Sequence, residues 1–214
     1  MYVPPANAMT EPAALAAHLR ARPFATLVSS GGQGLVATSL PTVYKGDGSG
    51  GVIECHFARA NVHWKELAGA GEVLLIYPGI DAYVTPNWYP SKAENHKAVP
   101  TWNYSVVHAY GRAELIEDKA QLHAHVTDLT NQHEQGAAAP WAVSDAPESY
   151  IDVMLRGIVG VRITVTRLIG KAKLSQNRDQ RDMAGVAKGL AERGGGDDRI
   201  MANEIADLAA LKRG

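Results

Sequence analysis

The feature that most constrains the fold of this chain is a series of β-rich runs joined by glycine-rich turns near its start. The runs are FATLVSS, LVATSLPTVY and GVIECHF, and the turns between them are GGQG at 31–34 and GDGSGG at 46–51. Short glycine-rich turns between β-branched and aromatic runs are typical of antiparallel hairpins. The sequence therefore predicts a sheet built by hairpins and not by the strand–helix–strand units of a parallel sheet.

The rest of the chain adds strands first and helices late. We predict a second hairpin from EVLLIYPG and AYVTPNWY, a long strand from TWNYSVVHAYGRAELI, helices at 118–134 and 147–156, and a last strand from VGVRITVTRLIGKAKL. A helix capped by Thr10 precedes the first strand, and two polar helices close the chain. This order favours a mainly β (α+β) fold, an antiparallel barrel or sandwich with peripheral helices.

Composition limits the classes of function. A chain of 214 residues, 46% hydrophobic and 20% charged, is expected to form one well-cored domain. The net charge of -1 gives no support to nucleic-acid binding, and a single cysteine, Cys55, cannot form an internal disulfide. The longest apolar run, VLLIY at 73–77, is far shorter than a membrane-spanning helix. We therefore expect a cytoplasmic protein with no membrane partner.

The segment HFARANVHWKEL, from His56 to Leu67, places polar side chains at a junction between a strand and a helix. Asn61 is suited to cap the helix, and Arg59 and Lys65 add positive charge near its start. Such a junction can bind a phosphomonoester. The alternative is that the two cations are solvated, His56 is a hydrogen-bonded strand residue and Trp64 belongs to the core.

Two further segments, YVTPNWYPSK at 83–92 and VPTWNYSVVHAYG at 99–111, join aromatic residues to small polar ones. Aromatic faces that could stack on a ring, together with small polar groups that could orient it, suit a flavin. The aromatic residues are Trp88, Tyr89, Trp102 and Tyr104, and the polar ones are Thr85, Asn87 and Asn103. The alternative is that these aromatic residues fill the core or a subunit interface. A fourth segment, KAKLSQNR at 171–178, is unusually polar and leads from a strand into a helix.

These four segments and the opening MYVPP occur in one order over almost the whole chain, and in this they resemble the PaiB-like family of FMN-binding negative transcriptional regulators. The resemblance implies an antiparallel split β-barrel of the pyridoxamine-phosphate-oxidase-like type. It also implies a homodimer with flavin at the subunit interface. We expect the barrel to occupy 1–178 and a helical extension packed on it to occupy 179–214.

We assign the FMN phosphate to the junction and the ring edge to the other segments. The residues predicted to bind the cofactor are His56, Ala58, Arg59, Asn61, Trp64, Lys65, Thr85, Trp88, Trp102, Asn103, Lys173, Ser175 and Gln176.

Two other functions fit the same fold. A flavin-dependent oxidoreductase is the first, although no separate catalytic acid or base is visible in the sequence. The second is a haem protein with His56, His63 or His108 as axial ligand. No metal site is expected from His123 and His125. Side chains two positions apart on a helix point about 200° apart, so these two rings do not face one ion.

Direct DNA contact by the C-terminal helices is not favoured, although the regulatory role implied by the family leaves DNA as a partner. The second helix carries an apolar stripe of Ile200, Ile205, Leu208 and Leu211, which indicates packing.

Overall fold

The computed structural model describes residues 1–32 and 34–211. Gln33 in the predicted turn at 31–34, the side chains of Asn95 and Leu211, and residues 212–214 lie outside what is described. The strands in the described residues are β1 (Ala8–Met9), β2 (Phe24–Gly31), β3 (Gly34–Pro41), β4 (Val43–Lys45), β5 (Val52–Ala58), β6 (Val73–Val84), β7 (Thr101–Ile116) and β8 (Ile158–Lys173). The α-helices there are α1 (Pro12–Ala21), α2 (His63–Leu67), α3 (Lys92–Asn95), α4 (Lys119–Glu134), α5 (Glu148–Arg156), α6 (Gln180–Arg193) and α7 (Asp198–Leu211).

The chain divides into two compact units. The first consists of Met1–Thr10, Pro78–Val107 and Ile169–Gly214, and the second of Glu11–Tyr77 and His108–Leu168. Strands β6, β7 and β8 each contribute residues to both units.

The sheet closes on itself as a barrel. Its strands are hydrogen-bonded in the order β3-β2-β6-β7-β8-β5-β4, so β3 and β4 stand at opposite ends of the order. Only Thr42 separates these two strands along the chain. Segment 34–45 therefore pairs with β2 through its first part and with β5 through its last part, and this joins the two ends of the sheet.

Thr42 forms the corner at which this segment changes partners. Its backbone N–H and its hydroxyl both donate to the Pro23 carbonyl at 2.8 Å. The Tyr77 hydroxyl donates to the Thr42 hydroxyl at 3.1 Å, and the Gln132 side chain donates to the Thr42 carbonyl at 3.0 Å. A buried corner needs such partners, because an unpaired backbone group away from water is costly.

Side chains alternate between the two faces of each strand, and those that point into the barrel are apolar. Ile53, Cys55 and Phe57 of β5 are at most 2% exposed and share one face. Cys55 is buried and unpaired, and its burial raises the pKa of the thiol. Outside the barrel, Leu122 of α4 and Leu155 of α5 pack with Ile116 at the end of β7.

The core of the first unit lies between α6, α7 and the end of β6. Met183, Val186 and Leu190 of α6 pack with Met201 and Ile205 of α7 in one cluster. The predicted stripe on α7 is wrong at Ile200, which is 49% exposed. Met201, one residue and about 100° further round the helix, takes the buried position.

Two other sequence predictions need correction. The predicted hairpin from EVLLIYPG and AYVTPNWY is the single strand β6. Its pairing with β2 ends at Ile76, so the missing N–H of Pro78 removes no bond from that ladder. Thr10 does not cap α1, which begins at Pro12 with Glu11 before it.

The other elements agree with the sequence. The long strand β7, helices α4 and α5, strand β8 and the two closing helices lie where they are predicted, and the mainly β, antiparallel class is confirmed. Between β6 and β7, the segment SKAENHKAVP at 91–100 contains the short helix α3. None of the helices in the described part of the chain has the length and apolarity to cross a membrane.

Candidate functional site

The strand-to-helix junction has the predicted form with a shift of one residue. Strand β5 ends at Ala58 and α2 begins at His63, so Val62 is the residue before the helix. Asn61 nevertheless makes the capping contact, since its side-chain oxygen accepts from the His63 N–H at 3.1 Å. The helix has only five residues, so charged side chains and not its dipole must supply most of any attraction for an anion.

His63 is the buried hub of the junction. Its Nε2 lies 2.9 Å from the Ser29 hydroxyl and its Nδ1 lies 2.8 Å from the Thr38 hydroxyl. The Asn61 amide also donates to the Thr38 hydroxyl, at 3.4 Å. Burial lowers the pKa of His63, so the ring is neutral near pH 7 and positions the loop without adding charge.

Arg59 is engaged by the protein itself. Its guanidinium donates from Nε to the Arg156 carbonyl, from Nη1 to the Glu117 carboxylate and from Nη2 to the Ile158 carbonyl, each at 3.1 Å. These bonds tie the end of β5 to the start of β8. Arg59 therefore contributes charge to the junction while its donors hold the fold.

Trp64 and Lys65 form the exposed side of the junction. The Trp64 indole donates to the Arg59 carbonyl at 3.1 Å. Arg59 and Lys65 lie over the indole ring, at 5.9 and 5.6 Å from its centre. A solvent-exposed ammonium beside this ring can reach an anion at little cost.

The first unit holds a second group of predicted site residues around Asn103. This residue is fully buried and its amide donates to the Ser175 hydroxyl at 2.9 Å. Among the described side chains, its Oδ1 is one of the few buried polar atoms without a hydrogen-bond partner. Ser175 has a left-handed backbone with φ 60, which is uncommon outside glycine and marks a constrained position.

Two lysines lie at the same end of β8. Lys173 donates to the Trp102 carbonyl at 2.8 Å and to the Thr101 hydroxyl. Lys171 donates to the Tyr104 hydroxyl at 2.6 Å. Burial lowers the pKa of Lys173, and the positive charge of Lys171 acts in the same direction. This group, Asn103 with Ser175 and the two lysines, combines donors, an unpaired acceptor and the 54% exposed indole of Trp102.

Other predicted residues serve local structure. Thr85 caps a 3-10 turn through the Asn87 N–H, and Gln176 bonds the Leu174 N–H and the Ala172 carbonyl. Trp88 packs on α6, where a Cβ on Gly189 would come within 2.3 Å of its ring.

His56 is not brought to the junction group of Asn61, Trp64 and Lys65. Its Nδ1 lies 3.0 Å from Nε2 of His125 on α4. Ala58 ends the strand and pairs with Ile158.

Sequence reasoning missed Ser29 and Thr38, the two hydroxyls that hold His63. They lie on β2 and β3, far along the chain from the junction, and the pairing of these two strands brings them together. No local sequence signal marks them, because serine and threonine are ordinary residues in strands.

Three comparisons bear on this arrangement. A family model described as "Putative FMN-binding domain" matches residues 1–167. The protease synthase and sporulation protein PAI 2 of Bacillus subtilis is 29% identical over 97% of this chain and 96% of its own length. An uncharacterized protein of Emericella nidulans is 33% identical over 80% of this chain and 79% of its own.

Solved structures share the fold. One is a conserved hypothetical protein of Mycobacterium tuberculosis, with a TM-score of 0.57, 18% identity and coverage of 81% of this chain and 91% of that chain. Another is the FAD and heme binding protein of Mycobacterium smegmatis, with a TM-score of 0.53, 17% identity and coverage of 73% and 68%.

Proposed function

Because the chain belongs to the FMN-binding family whose model covers residues 1–167, we propose that it is a PaiB-type regulator that works as a cytoplasmic homodimer. The FMN-binding split barrel and the PaiB-like resemblance predicted from the motifs are confirmed. The regulatory role, the dimer, the compartment and the cofactor-binding residues are the proposed part. When bound, FMN supplies a centre for one- or two-electron transfer.

The observation that carries the assignment of the ring edge is the unpaired Oδ1 of Asn103. The flavin ring offers an imide N–H flanked by two carbonyl oxygens. An acceptor without a partner suits that N–H, and the ammonium of Lys173 suits a neighbouring carbonyl. Buried acceptors are seldom left unpaired, and an imide N–H that displaced the side chains covering this oxygen would satisfy it.

We propose that the junction binds the phosphate of FMN, with the exposed Lys65 as the cation beside Trp64 and Asn61. Three of the five N–H groups of Arg59 already bond two carbonyls and Glu117, so a substitution of Arg59 would disturb the fold as well as binding. Lys65 is exposed and its ammonium lies over the indole face of Trp64, so it is the better residue for a test that separates binding from folding.

The test is a set of fluorescence titrations with FMN and with riboflavin, which lacks the phosphate. Lys65→Ala is expected to weaken FMN binding about tenfold and riboflavin binding little, because one charge-assisted hydrogen bond contributes roughly 1.5–3 kcal/mol. Asn103→Leu is expected to weaken both ligands by similar factors, since it acts on the ring.

Matched controls are Lys188→Ala, an exposed lysine of α6, and Asn131→Leu, an exposed residue of α4. Both are expected to bind as the wild type does. Unchanged FMN binding in Lys65→Ala would remove the junction from the proposal, and unchanged riboflavin binding in Asn103→Leu would remove the ring assignment.

Haem is the second candidate, since a structure with this fold is described as binding FAD and heme. Both ring nitrogens of His63 already meet hydroxyls, and one of His56 meets His125, which leaves His63 poorly suited to bind iron. An absorbance spectrum of the purified protein separates the two, because flavin absorbs in the blue and near ultraviolet whereas haem has a Soret band.

A further inference from the structure

A cavity of about 260 Å³ lies in the second unit beside β5, α4 and α5. Of the residues predicted to bind the cofactor, His56 is the one that lines it within the described part of the chain. Its wall also includes Val126, Ile158 and three partly exposed side chains, Trp141, Tyr150 and Met154. The exposure of these three gives the cavity an open mouth with a flexible methionine at its edge.

The wall selects for an uncharged occupant. Among the described residues, no Asp, Glu, Lys or Arg lines the cavity, and the remaining polar groups are the hydroxyls of Thr130 and Tyr150 and the rings of His56 and Trp141. Burying an unpaired charge against such a wall is costly. Two aromatic side chains at the mouth favour a flat ring.

The histidine pair decides which polar group the ligand must bring. One proton lies between Nδ1 of His56 and Nε2 of His125, which are 3.0 Å apart. Nδ1 of His125 is buried and has no partner in the described part of the chain. If His56 donated, that atom would be an unpaired buried N–H, which is rarer in proteins than an unpaired acceptor.

His125 is therefore the donor of the pair, and the remaining proton of His56 sits on Nε2. Burial lowers the pKa of both rings, so this neutral arrangement holds near pH 7. Because Nδ1 of His56 is turned to His125 while the ring lines the cavity, Nε2–H is the group that His56 can offer to an occupant.

We propose that this cavity binds a small neutral aromatic molecule with a carbonyl-type acceptor, and that His56 donates to that acceptor through Nε2. A cavity of about 150 Å³ accommodates benzene, so about 260 Å³ accommodates a substituted ring of roughly ten heavy atoms. The site goes beyond FMN binding and does not depend on it.

The test is a ¹⁹F NMR titration of the FMN-saturated protein with 4-fluoroacetophenone and with 4-fluoro-α-methylstyrene, which has nearly the same shape because a CH2 group replaces the carbonyl oxygen, and which has no acceptor. The wild type is expected to bind the ketone roughly three- to tenfold more tightly, the range of one neutral hydrogen bond. His56→Phe is expected to abolish this preference. His133→Phe, an exposed histidine of α4, is expected to keep it.

Met154→Trp, which plugs the mouth from a half-exposed position, is expected to weaken both probes. Equal affinities in the wild type, a preference that survives His56→Phe, or no binding at millimolar probe would overturn the proposal. If His56→Phe does not fold, ¹⁵N spectra of the wild type decide. The Nε2–H of His56 must shift on addition of the ketone and not of the hydrocarbon.

Discussion

At the scale of single residues, Thr42 shows how one hydroxyl supports the closure of the barrel. It donates to the Pro23 carbonyl and accepts from the buried Tyr77 hydroxyl. Thr42→Val keeps the shape but leaves the buried Tyr77 hydroxyl without its acceptor, while the Pro23 carbonyl still accepts from the backbone N–H, so the free energy of unfolding is expected to fall by about 1–3 kcal/mol. Urea denaturation measures this.

Thr26→Val makes the same chemical change on the exposed Thr26–Ser39 pair and is expected to cost less than about 0.5 kcal/mol. Equal losses of stability in the two variants would show that the Thr42 hydroxyl contributes no more than the exposed Thr26 hydroxyl does.

The histidine pair predicts a pH dependence. Burial, followed by the charge of His56, lowers the pKa of His125 from 6.5 to about 4. A group with a depressed pKa contributes stability above its unfolded pKa, and that contribution is lost as the pH falls from 6.5 towards 4. His125→Gln, which does not titrate, is expected to lose about 2–3 kcal/mol less than the wild type over this range.

The measurement is the free energy of unfolding by urea at several pH values. His133→Gln changes an exposed histidine of the same helix and is expected to follow the wild type. Parallel curves for all three proteins would contradict a depressed pKa at His125.

Residue-scale predictions from the sequence succeeded where the signal is local. Asn61 beside a helix start is recognisable because capping involves neighbours in the chain. The corner at Thr42 is not, since LVATSLPTVY has the composition of one uninterrupted strand. Likewise, the orientation of the Asn103 amide is set by its bond to Ser175, 72 positions away, and no local pattern predicts it.

At the scale of elements, the two closing helices contribute packing through one face. Ile205 of α7 is fully buried, whereas Ile200 on the same helix is 49% exposed. Ile205→Ala is expected to lower the free energy of unfolding by about 2–5 kcal/mol, because it opens a cavity in the core of the first unit. Ile200→Ala, the matched control, is expected to cost less than about 1 kcal/mol.

Thermal and urea unfolding of the two variants check this expectation. Similar losses of stability in the two variants would mean that burial of the Ile205 face does not stabilise α7. Because packing uses this face, we expect removal of 195–214 to harm folding or solubility before it alters any contact with DNA.

Element boundaries were predictable in most of the chain because apolar alternation and glycine turns are strong local signals. The exception, β6, shows the limit of such signals. A proline followed by glycine usually indicates a turn, but Pro78 lies past the end of the ladder with β2, where a strand tolerates it. Which residues have ladder partners is a property of the sheet and not of the segment.

At the scale of the whole molecule, the proposed homodimer must cover apolar surface. Trp102 and Tyr83 form an edge-to-face pair 5.9 Å apart and are 54% and 39% exposed. Exposed aromatic pairs are common at subunit interfaces. Trp102→Glu is therefore expected to shift the protein from dimer to monomer at micromolar concentration, as measured by sedimentation velocity.

Tyr150→Glu is the control, because Tyr150 is an aromatic residue of α5 with a similar exposure of 55%. It is expected to leave the dimer intact. A wild-type monomer at micromolar concentration would contradict the proposed dimer directly.

The single-residue link between β3 and β4 has a consequence for the alignment of strands. A slip of β3 by one residue against β2 would pull β4 by one residue against β5, since only Thr42 lies between them. Each slip turns inward-facing side chains outward. A register error between β2 and β3 therefore causes a register error between β4 and β5. Closure of the sheet thus selects the correct register in both pairings at once.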